Sequence, residues 1–420
     1  MIEKKYCYGT KENREFLNGQ AESLLEFGKA FPSPYGSSYW LGDDGTPCKE
    51  RNRETWITCR MIHSYSLGAF LSFPESEEKI DAGLKGLCGE LKDTSHGGWF
   101  ASVTSNGDPV GPKQCYAHAF VMLSASSALL AGSPGAKELL EDAEQVFDQY
   151  FWDDEKGLAV DTWNIEFTKL DPYRGINANM HTTEAFLALA DATGDEQYRV
   201  RAGRIIDHVI GWASSNSWRI PEHYHSDWSM DLECNANKKD DQFKPYGATP
   251  GHGIEWARLI TQWTMSSFKE DPSDQEKKEK KKTYLDAAEH LYQRAVEDGW
   301  CADGKPGIVY TTDWEGKPVV HDRMHWTLAE AINTSSVLYD VTGKERYAAD
   351  YAEFLHYLDE SVLDHRNGSW FHQLDAQNRP IGTVWPGKCD LYHALQSMLI
   401  PQYRSDLSIA KAVKQGAKRV

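Results

Sequence analysis

Asn177-Ala178-Asn179-Met180-His181-Thr182-Thr183-Glu184 opens an apolar helix near the middle of the chain, and Thr249-Pro250-Gly251-His252-Gly253-Ile254-Glu255 repeats its grammar. In each, a polar or glycine-bearing loop runs into a helix whose first turn holds His-x-x-Glu. Residues three apart share a helix face, so each imidazole points the same way as its carboxylate. Two such pairs in equivalent places predict a repeat architecture that aims both at a common centre.

Outward from these stretches the same unit recurs. An amphipathic helix over about 12–30 ends at Pro32, and the strand-like run Tyr39-Trp40-Leu41 turns at Asp43-Asp44-Gly45. The helix that follows, about 54–72, is apolar almost all round and therefore buried. Later copies pair helix 77–92 with 113–131, 136–150 with 177–193, 196–213 with 250–267, 276–298 with 325–342, and 346–360 with 389–400. A hairpin lies inside each pair, at about positions 40, 99, 158, 219, 308 and 370, spaced roughly sixty residues apart save for one longer gap. The polar loop 231–248 and the Lys/Glu-rich stretch 269–282 fill that gap and read as surface insertions. Six repeats of one amphipathic and one buried helix can close into a ring, so the predicted fold is all-α: an (α/α)6 barrel with short β-hairpins at one end. No repeat can bury its apolar inner helix alone, so residues 1–420 read as a single domain.

Every inner helix starts just after a hairpin, which puts all the N-termini at one end of the ring. Polar residues in the first turns then face one funnel: Arg60, Tyr116, His118, Asn177, Asn179, His181, Glu184, His252, Glu255, Trp326, Glu330, Tyr392 and His393. The positive ends of the helix dipoles converge there and favour an oxyanion or electron-rich hydroxyls. A lone histidine on an apolar helix is more often a hydrogen-bonded core residue than a catalyst. His181, His252 and His393 fall at equivalent positions of three repeats, and chance does not respect register. Glu184 and Glu255 are expected to fix the tautomers of His181 and His252 or to hold a substrate hydroxyl, because an unpaired buried carboxylate is costly. His63 and His118 read as core residues. Arg60 stands equally as a salt-bridge partner or a substrate contact, and Trp314 and Trp385 equally as loop anchors or sugar platforms.

Composition narrows the partners. A formal charge of −18 repels nucleic acid, and no stretch approaches a membrane span. The chain holds 15 Trp and 20 Tyr, which suits a pocket for a polar ligand with apolar faces as well as an aromatic core. Eight scattered Cys without metal-ligand spacing, and an N-terminus without a leader pattern, point to a reduced cytoplasmic protein, monomer or homo-oligomer. His-x-x-Glu is not the zincin pair, and no acidic cage for a hard cation is apparent, so no metal and no cofactor is expected.

Five stretches resemble the N-acylglucosamine 2-epimerase superfamily. They are Thr55-Trp56-Ile57-Thr58-Cys59-Arg60-Met61, Asn177-Ala178-Asn179-Met180-His181, Thr249-Pro250-Gly251-His252-Gly253-Ile254-Glu255-Trp256, Asp313-Trp314-Glu315-Gly316-Lys317-Pro318-Val319 and Asp390-Leu391-Tyr392-His393. Within it they are most similar to the aldose–ketose isomerase branch, covering about residues 12 to 402. The resemblance implies an (α/α)6 barrel and metal-independent proton transfer on an opened sugar through a cis-enediol. His393 would take the C2 proton and return it to C1, and His252 would act opposite it with Glu255 orienting it. His181 and Arg60 would polarise the O1–O2 region, an arrangement suited to imidazoles that titrate near neutrality. Trp56, Tyr116, Asn177, Glu184, Trp326, Glu330 and Trp385 would be substrate contacts. Where relatives that read a sulfonate are expected to carry Arg and Gln, this chain has Lys244, His372 and Cys389. Losing planar bidentate donors favours a neutral hexose, D-mannose to D-fructose, or D-lyxose to D-xylulose. The rival readings are a sugar 2-epimerase or sulfoquinovose isomerase on the same scaffold, a glycoside hydrolase, which would need two flanking carboxylates, and a non-catalytic sugar-binding toroid.

Overall fold

Apolar faces decide where each helix sits. The structure, a computed structural model, describes residues 3–241, 243–268 and 274–419. In chain order the helices are α1 (Lys11–Gly28), α2 (Thr55–Phe70), α3 (Ser76–Cys88), α4 (Cys115–Ala131), α5 (Ala136–Tyr150), α6 (Ile176–Thr193) and α7 (Gln197–Ser215). They continue with α8 (Pro250–Ser267), α9 (Gln275–Gly299), α10 (His325–Thr342), α11 (Glu345–Tyr357), α12 (Tyr392–Leu399) and α13 (Ile409–Lys414). Even-numbered helices are buried along nearly their whole length, as their all-round apolar sequences require. Odd-numbered ones bury a single stripe, such as Leu139, Leu140, Ala143, Val146 and Phe147 of α5. The even helices touch in succession, and α12 meets α2 to close an inner ring. This is the (α/α)6 arrangement.

The helical pairing is offset from the repeat read in the sequence. Each of α3, α5, α7, α9 and α11 packs on the inner helix that precedes it, which leaves α1 to pack on α12. The first helix of the chain therefore completes the last pair. At the opposite end of the ring from the hairpins, α13 lies across α2, α4 and α6.

The hairpin end is stitched all the way round. The strand just ahead of an inner helix pairs with the next repeat: Arg53–Glu54 with Ser102–Val103, Lys113–Gln114 with Thr162–Trp163, Arg174–Gly175 with His223–Tyr224, and Arg323–Met324 with Gln373–Leu374. A bridge from Ala248 to Thr312 and the bond from Lys388 N–H to the Leu41 carbonyl complete the circle. Gly247 makes the Ala248 stitch possible, since a Cβ there would stand 2.0 Å from the Thr312 carbonyl oxygen. Buried cations just ahead of inner helices pin the same end: Lys113 to Asp93 at 2.8 Å, Arg323 to Asp303 at 2.6 Å and Lys388 to Asp364 at 2.7 Å. Together these bonds set the N-termini of the inner helices level.

Two sequence expectations change. Most of the Lys/Glu-rich stretch read as a surface insertion is helical: from Gln275 it forms the exposed first turns of α9, capped by Asp274 accepting from the Lys277 N–H, while 269–273 lie outside the described residues. No strand pairing forms at Trp218–Pro221, where a hairpin was expected; the pairing strand comes later, at His223–Tyr224. No helix among the described residues is long and apolar enough to cross a membrane.

Candidate active site

The level N-termini of the inner helices surround a cavity of about 760 Å³. His181 of α6, His252 of α8 and His393 of α12 all line it, together with Arg60, Glu255, Tyr116, Asn177, Trp326 and Trp385. Three of the expected residues do not. Glu184 and Glu330 lie one layer beneath the floor, and Trp56 stands behind Trp385 with its ring edge-on at 6.0 Å. They pack behind the lining and support it.

Each imidazole is held differently. His393 Nδ1–H donates to Glu330 Oε1 at 3.1 Å, and since Glu330 lies below the floor, Nε2 faces the cavity. His252 Nδ1–H donates to Glu222 Oε2 at 2.8 Å, so Glu222, not Glu255, sets the tautomer of His252. The other oxygen of Glu222 accepts the Thr249 N–H at 3.3 Å, and its carbonyl accepts the Ile176 N–H at 3.1 Å. His181 Nδ1 is 3.7 Å from Glu184, beyond a hydrogen bond, and the ring is wedged between Tyr116 and Phe120. Burial pushes the His181 imidazole down to about 4, and it holds His393 well below the usual range with the Arg60 charge adding to the effect. Both rings are therefore uncharged at neutral pH, the state in which an imidazole accepts a proton.

The floor is a charge layer built around Arg258. Its Nε–H donates to Glu330 Oε2 at 2.6 Å, and its guanidinium lies 3.5 Å from Glu255 and 3.7 Å from Glu184. His181, Glu184 and Glu255 bring ligand-type atoms within 4.8 Å of one another. Arg258 already supplies the positive charge that a cation would bring to these carboxylates. Burial, reinforced by the charge of Glu330, drives the Glu255 carboxyl well above its ordinary range, so it keeps its proton. Glu184 goes the other way: burial raises it, but His181, Arg258 and the Tyr392 hydroxyl outweigh that and hold it ionised.

Arg60 is the cation of the cavity itself. It donates to Asp390 at 3.2 Å and to the Tyr116 hydroxyl at 3.0 Å, and it lies against the faces of Trp56, Phe120 and Tyr392. Burial lifts Tyr116 to about 12, so its phenol stays protonated. A different chemistry marks another wall. His325 and Cys389 line it, and His372 lies behind them, its ring stacked on His325 at 3.8 Å and its Nδ1 3.8 Å from Cys389 Sγ. Burial holds His325 near 4, His372 well below its usual value and the Cys389 thiol well above its own, so this wall carries no charge.

Five polar atoms of cavity-lining residues make no hydrogen bond within the described protein: Arg60 Nε, Asn177 Oδ1, His181 Nδ1, Glu255 Oε2 and Trp385 Nε1. Buried polar groups are normally paired, so donors and acceptors left open together define a polyhydroxylated ligand better than an apolar one. Two histidines are structural: His118 accepts the Trp99 N–H at 3.1 Å, and His63 bonds Ser127 at 2.8 Å. Sequence reasoning missed Glu222, Asp390, Tyr173 and Phe243 and gave His325, at the start of α10, only weak weight; all five line the cavity. Only Asp390 carried a local signal, an Asp two residues ahead of α12, whose Oδ1 accepts the Tyr392 N–H at 2.9 Å.

Residues 36–397 match the family model described as N-acylglucosamine 2-epimerase (GlcNAc 2-epimerase). The chain is 39% identical over 404 residues to the D-mannose isomerase of Thermobifida fusca, covering 96% of this chain and 97% of the relative. It is 39% identical over 402 residues to that of Pseudomonas cannabina pv. alisalensis, covering 96% and 95% respectively. A crystal structure of D-mannose isomerase superposes with a TM-score of 0.84 at 26% identity, covering 94% of this chain and 99% of that one.

Proposed function

We propose that this chain, which belongs to the N-acylglucosamine 2-epimerase family, interconverts D-mannose and D-fructose by moving one proton between C2 and C1 of the open-chain sugar. The observation that carries the reading is the pair of uncharged imidazoles, His181 and His393, in one cavity with Arg60 and with unpaired polar atoms suited to a polyol. His393 Nε2 removes the C2 proton, the electron pair forms the C1–C2 double bond, and O1 takes up the negative charge of a cis-enediolate. Arg60 faces that charge, with its orientation fixed by Asp390. The proton on His393 returns to C1 while O2 loses its own and becomes the ketone. His252, fixed by Glu222, carries protons between ring oxygen, O1 and O2, and protonated Glu255 donates a hydrogen bond to a sugar oxygen. His181, Tyr116, Asn177, Trp326 and Trp385 hold the hydroxyls and the ring face. Glu330 and Glu184 act from below as positioning groups.

His325 and Cys389, which line this side with His372 behind them, bring no positive charge to an anionic substituent, which supports a neutral hexose as the substrate. D-lyxose, which lacks only the terminal carbon of mannose, is the second substrate of this reading. All eight cysteines are free thiols, in keeping with a reducing cytoplasm, and one ring suffices for the chemistry whether the chain is a monomer or a homo-oligomer. D-mannose incubated with the protein in D₂O, with and without EDTA, is to be followed by NMR. Fructose is expected in both samples, and any deuterium at its C1 reports the share of protons that exchange from His393 to solvent before they return. Glucose without fructose would mean a 2-epimerase, no product from any aldohexose a sugar-binding toroid, and loss of turnover in EDTA a metal-dependent reaction.

A further inference from the structure

The cavity has a roof, and the residue that forms it was silent in the sequence. Phe243 lines the mouth from the segment between the His223–Tyr224 strand and α8, with 57% of its surface exposed. It meets the ring of Trp385 edge-on, with centroids 5.8 Å apart. Trp385 belongs to the loop ahead of α12, so the contact joins two segments of the cavity mouth that lie in different repeats. Neither half of the roof is loose. Trp385 stacks on Trp40 at 6.4 Å, and the Trp40 indole N–H donates to the Pro386 carbonyl at 2.6 Å. On the opposite side the His223 Nε2–H donates to the Pro245 carbonyl at 2.9 Å, and Lys244 Nζ sits 3.5 Å from the centre of the Tyr173 ring.

An edge-to-face pair at this distance is in van der Waals contact, so no saccharide ring fits between the two aromatics. The charge layer under the histidines closes the floor, and the inner helices close the sides. A substituent that outgrows the cavity has only the mouth to leave by. In the reading proposed above, C1 and C2 lie at His393 and Arg60 on the floor, which turns C4 to C6 toward the roof. We propose that Phe243 is a specificity-determining residue: by spanning the mouth to Trp385 it confines the enzyme to free monosaccharides and excludes sugars glycosylated at O4.

The test compares D-mannose with β-1,4-mannobiose, whose reducing end is a mannose, for the wild type, Phe243→Ala and Phe243→Tyr. The wild type is expected to convert mannobiose with a kcat/KM at least about a thousandfold below that for mannose. Phe243→Ala should raise the mannobiose-to-mannose ratio of kcat/KM tenfold or more, and Phe243→Tyr, which keeps the ring, should leave the ratio unchanged. Each variant's thermal unfolding is recorded to establish that it is folded. Comparable use of both sugars by the wild type overturns the proposal, as does an unchanged ratio in Phe243→Ala while mannose is still converted. The inference rests on the isomerase reading, and the two fail differently: if the wild type makes no fructose from mannose, that reading falls first.

Discussion

His393 shows what a single buried residue gains from its setting. On the surface its imidazole would be half protonated near pH 6.5. Buried beside Arg60, it stays uncharged to well below that pH, and the bond to Glu330 turns Nε2 toward the cavity. His393→Ala should therefore leave the melting temperature within a few degrees and lower kcat for mannose by about a thousandfold or more, the order expected when an acid–base group and its positioning are both lost. A variant retaining wild-type turnover would remove the base assignment. The pH profile carries a sign as well. The base form is the neutral ring, and a depressed pKa keeps it neutral as the pH falls, so the acid limb of kcat/KM must lie below pH 6.5. An acid limb at or above that value would mean a different group governs the rate. The registers of His181, His252 and His393 were readable because each sits in the first turn of an apolar helix. The partner of His252 was not: Glu255 is its neighbour on the helix face, yet Glu222 reaches the ring from the loop before the helix.

At the scale of the element, what matters is how each inner helix is presented. A helix buried all round has no face that fixes its height in the ring, so the height must be set at its start. The strand stitches and the buried cations do this. Lys388 is fully buried, donating to Asp364 at 2.7 Å and to the Gly368 carbonyl at 2.6 Å just ahead of α12, the helix that carries His393. Removing one partner of a buried ion pair leaves the other charge unpaired, which costs about 3–5 kcal/mol. Lys388→Met should lose stability of that order in urea unfolding, and Lys388→Met with Asp364→Leu should recover much of it. Equal losses in the single and double variants would show that the lysine acts through packing alone. The alternation of amphipathic and apolar helices was legible because its period is local to each segment. The stitches were not, because each joins a dipeptide to another one repeat away, and two-residue strands leave no alternation to read.

For the whole molecule, the seam between α1 and α12 decides whether the ring stays shut. Leu17, Leu24 and Leu25 of α1 are buried, Tyr65 of α2 donates to the Leu25 carbonyl at 2.7 Å, and Tyr351 of α11 donates to Asn13 at 3.1 Å. Leu24→Ala should cost about 2–5 kcal/mol, as such truncations do in packed cores. Because every repeat leans on two neighbours, the loss should appear as one transition at lower temperature, with tryptophan fluorescence and far-UV circular dichroism coinciding. Separated transitions would mean that the seam opens before the rest unfolds. By itself the sequence determined the twelve helices of the ring but not α13, their sorting into inner and outer sets, and the end of the ring at which the polar first turns gather. These follow from hydrophobic period and from repeat register, both of which act between residues a few positions apart or at fixed intervals. The tertiary structure alone decided that α1 closes on α12, that Glu222 and Glu330 hold the two imidazoles, that Glu184 and Glu330 lie below the cavity and do not line it, and that Phe243 and Trp385 roof it. Those are meetings between side chains from different repeats, and they exist only once the ring has closed and brought the helix starts to one level.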